Sequence, residues 1–270
     1  EITTRLVGSE MCIRDRDITK YYKNGTQYSA VVVYSNGTPI VNKTVKLNIN
    51  GVFYNRVTDE NGTVRLNINL DPATYIITVY NPSNGEENSN KIVVLSKLIA
   101  EDMKTDYQAG KSYKVKVVNG QGKALANQTV KININGVIYN RVTDENGTAY
   151  LAIRLNPGTY ICTSSWNDSF VSTKVVVNKL TASISVLTPT VKKGDYYKVK
   201  ITDKKSSKPI VNQLVLFIYN GTAYGAYSDN EGIAKIKIGL PAGSYQLITA
   251  IQNSNWYQNI QVYNTLKVTA

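Results

Sequence analysis

A segment of 21 residues occurs twice in this chain, almost unchanged, 85 positions apart. Asn42-Lys-Thr-Val-Lys-Leu-Asn-Ile-Asn-Gly-Val-Phe-Tyr-Asn-Arg-Val-Thr-Asp-Glu-Asn-Gly62 returns as Asn127-Gln-Thr-Val-Lys-Ile-Asn-Ile-Asn-Gly-Val-Ile-Tyr-Asn-Arg-Val-Thr-Asp-Glu-Asn-Gly147. A diverged third copy runs from Asn212 to Gly232. The landmarks keep the same spacing: Asp59, Asp144 and Asp229; Tyr75, Tyr160 and Tyr245; Asn42, Asn127 and Asn212. One structural unit used three times explains this better than one large fold. The expected units are 1–95, 96–178 and 179–270, the first with an altered opening strand. The C-terminal Val262-Tyr-Asn-Thr-Leu-Lys-Val-Thr-Ala270 repeats the boundary pattern, and reads as the first strand of a truncated fourth unit.

Each copy alternates. Val45, Leu47 and Ile49 are interleaved with Lys46, Asn48 and Asn50; Val64, Leu66 and Ile68 with Arg65, Asn67 and Asn69; Tyr113, Val115 and Val117 with Lys114 and Lys116. A period of two marks a strand with one face buried. Asn50-Gly51 and Asn135-Gly136 suit two-residue hairpins, which need positive φ at both positions. Asp59 to Gly62 reads as a turn that ends on a left-handed glycine. In the second copy the expected strands are 98–103, 112–118, 128–134, 137–143, 148–155, 159–165 and 170–177. Seven short strands per 85 residues predict an all-β chain: three tandem immunoglobulin-like antiparallel sandwiches in an elongated array. The connections are too short for the crossovers of a parallel sheet. About two residues separate one unit's last strand from the next unit's first, so a semi-rigid rod is expected.

Composition narrows the function. There is no His, so no Ser-His-Asp or Cys-His site and no His-containing zinc site exists within the chain. Two Cys cannot build a Cys-only zinc site or a disulfide framework. No motif for a cofactor is present, and no apolar stretch approaches the ~20 residues of a membrane span. The net charge of +12 is unevenly distributed: +1, +4 and +7 over the three units. The third unit has eleven Lys, no Arg and four acidic residues. Nucleic-acid binding favours Arg and stacked aromatics on a basic face. Lys interleaved along strands instead marks a solvated face that resists edge pairing, with weak attraction to anionic wall polymers or glycans as the functional reading. Twenty Tyr against three Phe suggest rings lying on exposed sheet faces.

The run Gly-x-Pro-Ile-x-Asn-x-x-Val from Gly37 to Val45, the Thr-Asp-x-Asn-Gly turns and Leu-x-Pro-Gly-x-Tyr resemble the Ig-like repeats of prokaryotic surface proteins. The same punctuation occurs in carboxypeptidase-regulatory-like and Cna-B-like sandwiches. With high Asn, Lys and Tyr, residues 17–270 are most similar to the tandem repeats of adhesin-like proteins of methanogenic archaea. The resemblance implies a cell-surface, extracellular, non-catalytic chain: a structural or adhesive stalk. Its partners would be wall polymer, glycan, a surface protein of another cell and neighbouring repeats. Residues 6–16, Leu-Val-Gly-Ser-Glu-Met-Cys-Ile-Arg-Asp-Arg, resemble a translated sequencing adapter. They are set aside from functional reasoning, which leaves Cys162 as an inert thiol in core phase.

Two further readings stay open, a glycan- or wall-polymer-binding module and accessory domains of a larger secreted enzyme. The final hairpin differs in every copy, and loops on a rigid scaffold carry binding residues. Its candidate ligand residues are Trp166 and Phe170 in the second copy, and Asn255, Trp256 and Tyr257 in the third. Candidate N-glycosylation sites of the form Asn-x-Ser/Thr are Asn24, Asn36, Asn42, Asn61, Asn127, Asn146, Asn167 and Asn220. Asp59-Glu60-Asn61 lacks the remaining oxygens of a calcium loop and reads as a turn. No Lys occurs in core phase in all three copies, as an intramolecular Lys–Asn cross-link in each would need.

Overall fold

The computed structural model describes residues 12–270. The described chain is all-β, with 24 strands, eight in each copy. In the first copy these are β1 (Ile13–Arg14), β2 (Ile18–Tyr21), β3 (Gln27–Val32), β4 (Thr44–Ile49), β5 (Val52–Val57), β6 (Thr63–Asn67), β7 (Ala73–Tyr80) and β8 (Glu87–Leu95). The second runs β9 (Leu98–Ala100), β10 (Met103–Asp106), β11 (Ser112–Val117), β12 (Thr129–Ile134), β13 (Val137–Val142), β14 (Thr148–Ala152), β15 (Gly158–Trp166) and β16 (Ser169–Asn178). The third runs β17 (Ala182–Val186), β18 (Thr190–Lys192), β19 (Tyr196–Asp203), β20 (Leu214–Tyr219), β21 (Thr222–Tyr227), β22 (Ile233–Lys237), β23 (Gly243–Ile251) and β24 (Ile260–Thr269).

Each copy forms two facing sheets. In the first, β1-β3-β6 lies against β2-β8-β7-β4-β5, and the other copies repeat this order. The alternation explains the layers. Val45, Leu47 and Ile49 of β4, Val64 and Leu66 of β6, and Tyr28 of β3 all point into one core. Tyr113, Val115, Val117, Val130 and Ile132 build the second core. Tyr197, Val199, Ile201, Val215 and Phe217 build the third. These are immunoglobulin-like sandwiches in tandem.

Three expectations need correction. The opening strand is two strands, not one: it pairs with β3, β11 or β19, then crosses to the other sheet. There it runs parallel to the last strand, as Ile18↔Ile92, Met103↔Val175 and Thr190↔Lys267 show. No local crossover is needed, because the whole sandwich is the connection. At the switch in the first two copies a carboxylate accepts a backbone N–H of the last strand: Asp17 from Lys91 and Asp102 from Lys174, both at 2.7 Å. In the third copy the Pro189 carbonyl takes the Lys267 N–H at 2.9 Å. Second, Val262–Thr269 is part of β24 and pairs with β23 as far as Val268, so it is not the start of a fourth unit. Third, tyrosine is not only a surface residue. Tyr28, Tyr113 and Tyr197 are among the largest fully buried side chains. Of the adapter-like segment, residues 6–11 lie outside the described residues. Ile13 within it is fully buried and pairs with Val32.

The repeated landmarks are turn chemistry. Asp144 Oδ1 accepts the N–H groups of Asn146 and Thr148, each at 2.9 Å, and Asp59 and Asp229 do the same in their copies. Gly147 follows at φ 70°; a Cβ there would lie 2.7 Å from the Val117 carbonyl oxygen, so no larger residue fits. Tyr75, Tyr160 and Tyr245 stand third in β7, β15 and β23 and donate their hydroxyls to the carbonyls of Asp71, Asn156 and Pro241 at 2.9, 2.8 and 2.8 Å. Each is a tyrosine corner, pinning the turn that enters β7, β15 or β23. Cys162 is fully buried, and burial pushes its thiol pKa up, away from reactivity.

Removing one such hydroxyl while keeping the ring, in Tyr160→Phe, should cost about 1 kcal/mol. Hydrogen exchange should then speed about fivefold at the slowest amides of the second sandwich, with the third unchanged. Gly147→Ala should cost more, about 2 kcal/mol, because clash and left-handed strain add. A denaturant midpoint equal to that of the parent would contradict this account.

Candidate functional site

Two junctions between sandwiches gather Asn24, Trp166, Trp256 and Tyr257 among the residues singled out by the sequence. At the first, the β2–β3 loop meets the β11–β12 loop and the β15–β16 turn. Asn24 Nδ2 donates to the Gly120 carbonyl at 3.0 Å. The Tyr21 ring covers Gly122, where a Cβ would approach it to 2.8 Å. Lys97, one of two residues between β8 and β9, holds its ammonium 5.7 Å from the Tyr22 ring and 5.9 Å from the Trp166 ring. Lys23 pairs with Asp168 across the gap. Asp168 is held below the usual carboxylate range by its hydrogen bond from Lys23, and Lys23 is raised by the same bond.

The β2–β3 loop is itself tied from below. Lys20 is buried, and its ammonium donates to the carbonyls of Asn24, Thr26 and Ile68 at 2.9, 2.9 and 2.7 Å. Burial pushes its pKa down, while three carbonyls satisfy the three N–H groups of the charged form. The sequence reading missed Lys20. Its signal was phase: it stands two residues after Ile18, on the inward side of β2.

At the second junction the linker becomes part of the next sandwich. The Leu180 N–H donates to the Trp256 carbonyl at 2.7 Å and the Gln258 N–H returns a bond to the Leu180 carbonyl at 2.8 Å. This is a parallel bridge between Leu180 and Tyr257. Lys179 Nζ donates to the Ser254 carbonyl at 2.6 Å. Lys205 lies 3.5 Å from Asp106, whose carboxyl is lowered first by the hydrogen bond from Asn178 and then by Lys205. A crevice of about 360 Å³ opens here among Lys104, Asp106, Lys179, Asp203, Lys204 and Gln258.

The candidate ligand residues do not form one site. Trp166 faces the first junction and donates Nε1–H to Gln128 Oε1 at 3.3 Å. Phe170 opposes Ser165 on the outer sheet face and is 70% exposed. Asn255 and Trp256 are exposed on the β23–β24 loop, Trp256 at 44%, while Tyr257 packs on the third core. Among the eight candidate glycosylation sites, Asn24 is committed to the junction. Asn36, Asn42, Asn61, Asn127, Asn146, Asn167 and Asn220 are exposed in turns. Among the described residues no three His, Cys, Asp or Glu side chains gather as a metal site, and no helix is long and apolar enough to cross a membrane.

Residues 16–91 match the description of the macroglobulin domain MG4. No curated protein sequence matches the chain. Several solved structures are similar. The I9–I11 tandem of titin is 13% identical, with 95% of this chain and 99% of that one covered, at a TM-score of 0.34. A Bacteroides ovatus mixed-linkage glucan utilization protein, SGBP-B, seen with a heptasaccharide, is 14% identical over 100% and 70% at a TM-score of 0.25. A calcium-stabilised ice-binding adhesin of an Antarctic bacterium is 15% identical over 95% and 75%, also at 0.25.

The junction carboxylates give a pH signature. Their folded pKa values are lowered, so their contribution is complete above the unfolded carboxyl value of about 3.9. It is lost as pH falls through the lower folded values. Amide protection at the junctions should therefore fade below about pH 4, before the cores open. Protection that survives until global acid unfolding would show that these pairs hold nothing.

Proposed function

We propose that this chain is a structural and adhesive segment of a cell-surface fibre. It is extracellular and non-catalytic, needs no cofactor, and acts as a stalk that spaces and presents a distal partner. Its units divide near residues 95 and 178. The observation that carries this reading is the clamp at Leu180, which accepts and donates hydrogen bonds with the next sandwich's loop and leaves the linker no free length. Lys23, Asn24 and Lys97 serve the same end at the other junction. Junctions built this way resist bending, which suits a spacer and not a flexible tether.

X-ray scattering of the chain should give a radius of gyration well above the roughly 18 Å expected of a compact 270-residue protein. Leu180→Pro, which removes the clamping N–H, should broaden the distance distribution while both flanking cores stay folded. A compact particle would end the stalk reading.

A second reading, binding of glycan or wall polymer, draws on Trp256 alone. Its ring is partly exposed beside Asn255 while its main chain is fixed by Leu180, a rigid mounting suited to stacking on a sugar. Binding on a glycan array that Trp256→Ala abolishes would favour this reading. Binding to no glycan or wall fraction would remove it.

A further inference from the structure

The three copies carry the same open edge, formed by β5, β13 and β21, but only two of them guard it. In the first two, an arginine on the edge strand covers the strand's own backbone. Arg56 donates to the Asn55 carbonyl at 2.7 Å and Arg141 to the Asn140 carbonyl at 2.8 Å. Each guanidinium also lies over a tyrosine of the same strand, at 5.9 Å for Tyr54 and 5.4 Å for Tyr139. Those tyrosines pack down on their cores and close the gap between the two sheets. Charged, self-capped edges of this kind resist pairing with another strand.

In the third copy every part of that guard has changed. Ala226 stands where Arg141 would be, 85 positions on, and Gly225 where Asn140 would be. The edge strand Thr222–Tyr227 reads Thr-Ala-Tyr-Gly-Ala-Tyr and carries no charge. Tyr224, the counterpart of Tyr139, lines the gap opposite Phe217 but is 52% exposed and does not pack down on the core. Gly239 replaces Arg154 on the far wall. The gap has become a groove of about 710 Å³, against about 380 Å³ in the second copy. Its floor reaches the core at Phe217 and Leu247, and Lys237 stands on its rim where the second copy has Ala152.

The geometry points to β21 and this groove as a docking site for an extended peptide strand of another protein. The strand adds to the sheet edge, places an apolar side chain over Phe217 and Leu247, and sets an acidic residue against Lys237. Main-chain pairing supplies affinity and the groove supplies side-chain selection. Charge chooses the occupant. The third unit carries +7, so a second copy of this chain would bring like charge to like, whereas an acidic strand is attracted. β22 adds Lys235 beside Lys237 on the same side.

A random twelve-residue peptide phage library selected on the full chain, with counter-selection on the Ala226→Arg chain, tests this. That variant restores the guard of the other two copies. Gly239→Arg, at a glycine with open space around it, fills the groove without touching the edge. Enriched peptides should alternate apolar residues and carry excess Asp or Glu. A synthetic copy should slow exchange at the Thr222–Tyr227 amides and lose at least tenfold in affinity to either variant, with unfolding midpoints unchanged. Enrichment indifferent to Ala226→Arg, or no enrichment, would overturn the proposal. So would concentration-dependent dimerisation abolished by Ala226→Arg, which would assign the edge to a second copy, and decanoate binding in the groove without β21 protection, which would assign it to an amphiphile.

Discussion

Strand register in this chain is set by residues that tolerate a left-handed backbone. Among the described residues, eight of the eleven non-glycine residues at positive φ are Asn. Asn50-Gly51, Asn135-Gly136 and Asn220-Gly221 hold both turn residues there, which matches the natural twist of a two-residue hairpin. Asn42, Asn127 and Asn212 kink the chain into β4, β12 and β20. A one-residue slip would turn every core side chain outward. The turns and the alternation therefore have to agree. The exact spacing of the landmark residues follows from that, and so does much of the Asn content. The candidate glycosylation sequences at Asn42, Asn127 and Asn220 coincide with this backbone need, so their presence requires no glycan to explain it.

The cores were legible because alternation is a direct image of burial: Val45, Leu47 and Ile49 were inward in the sequence and are inward in the fold. The split opening strand was not, since Ala100-Glu101-Asp102-Met103 shows no break in composition. The switch depends on Asp102 meeting the Lys174 N–H 72 residues away. Parallel pairing of first and last strands is likewise a long-range fact. Alternation puts Tyr113 inward with Val115 and Val117, while the surplus of Tyr over Phe points to exposed faces and does not show the burial of Tyr28 and Tyr197, because a phenol is amphipathic. Tyr113 has a hydroxyl partner in Thr173 Oγ1 at 2.7 Å. The final hairpins were correctly seen as variable. Their aromatic residues divide between junction, outer face and loop according to which side of the hairpin each one takes, and Trp166 and Phe170 lie on opposite sides.

Several lysines are committed at the junctions. Lys97 sits between two aromatic rings, Lys179 caps a loop carbonyl, and Lys205 answers Asp106. Exposed ion pairs are individually weak. At a junction they act together with backbone bonds on two bodies that are already tethered, so a small energy suffices to hold an angle. Lys20 extends this logic inward: its three carbonyl bonds fix the very loop that carries Lys23 and Asn24.

The third copy serves as an internal comparison made on one backbone. Its turns, its core and its tyrosine corner are retained, so its divergence is not loss of fold. Among its many differences from the second copy, those on one flank act together: Arg to Ala, Asn to Gly and Ile to Ala along β21, and Arg to Gly across the gap. Tyr219 replaces the isoleucine of the other copies and packs edge-on against Tyr245 at 5.4 Å, keeping the corner in place while the flank opens. Here exposed charge was removed from one strand, side-chain volume was removed beneath it, and a lysine was placed opposite. An uncharged open edge is a hazard for any soluble sandwich. Retaining it on a unit of charge +7, with Lys235 and Lys237 beside the groove, favours acidic strands in the proposed docking, so the same charge that keeps copies of the chain apart selects the partner.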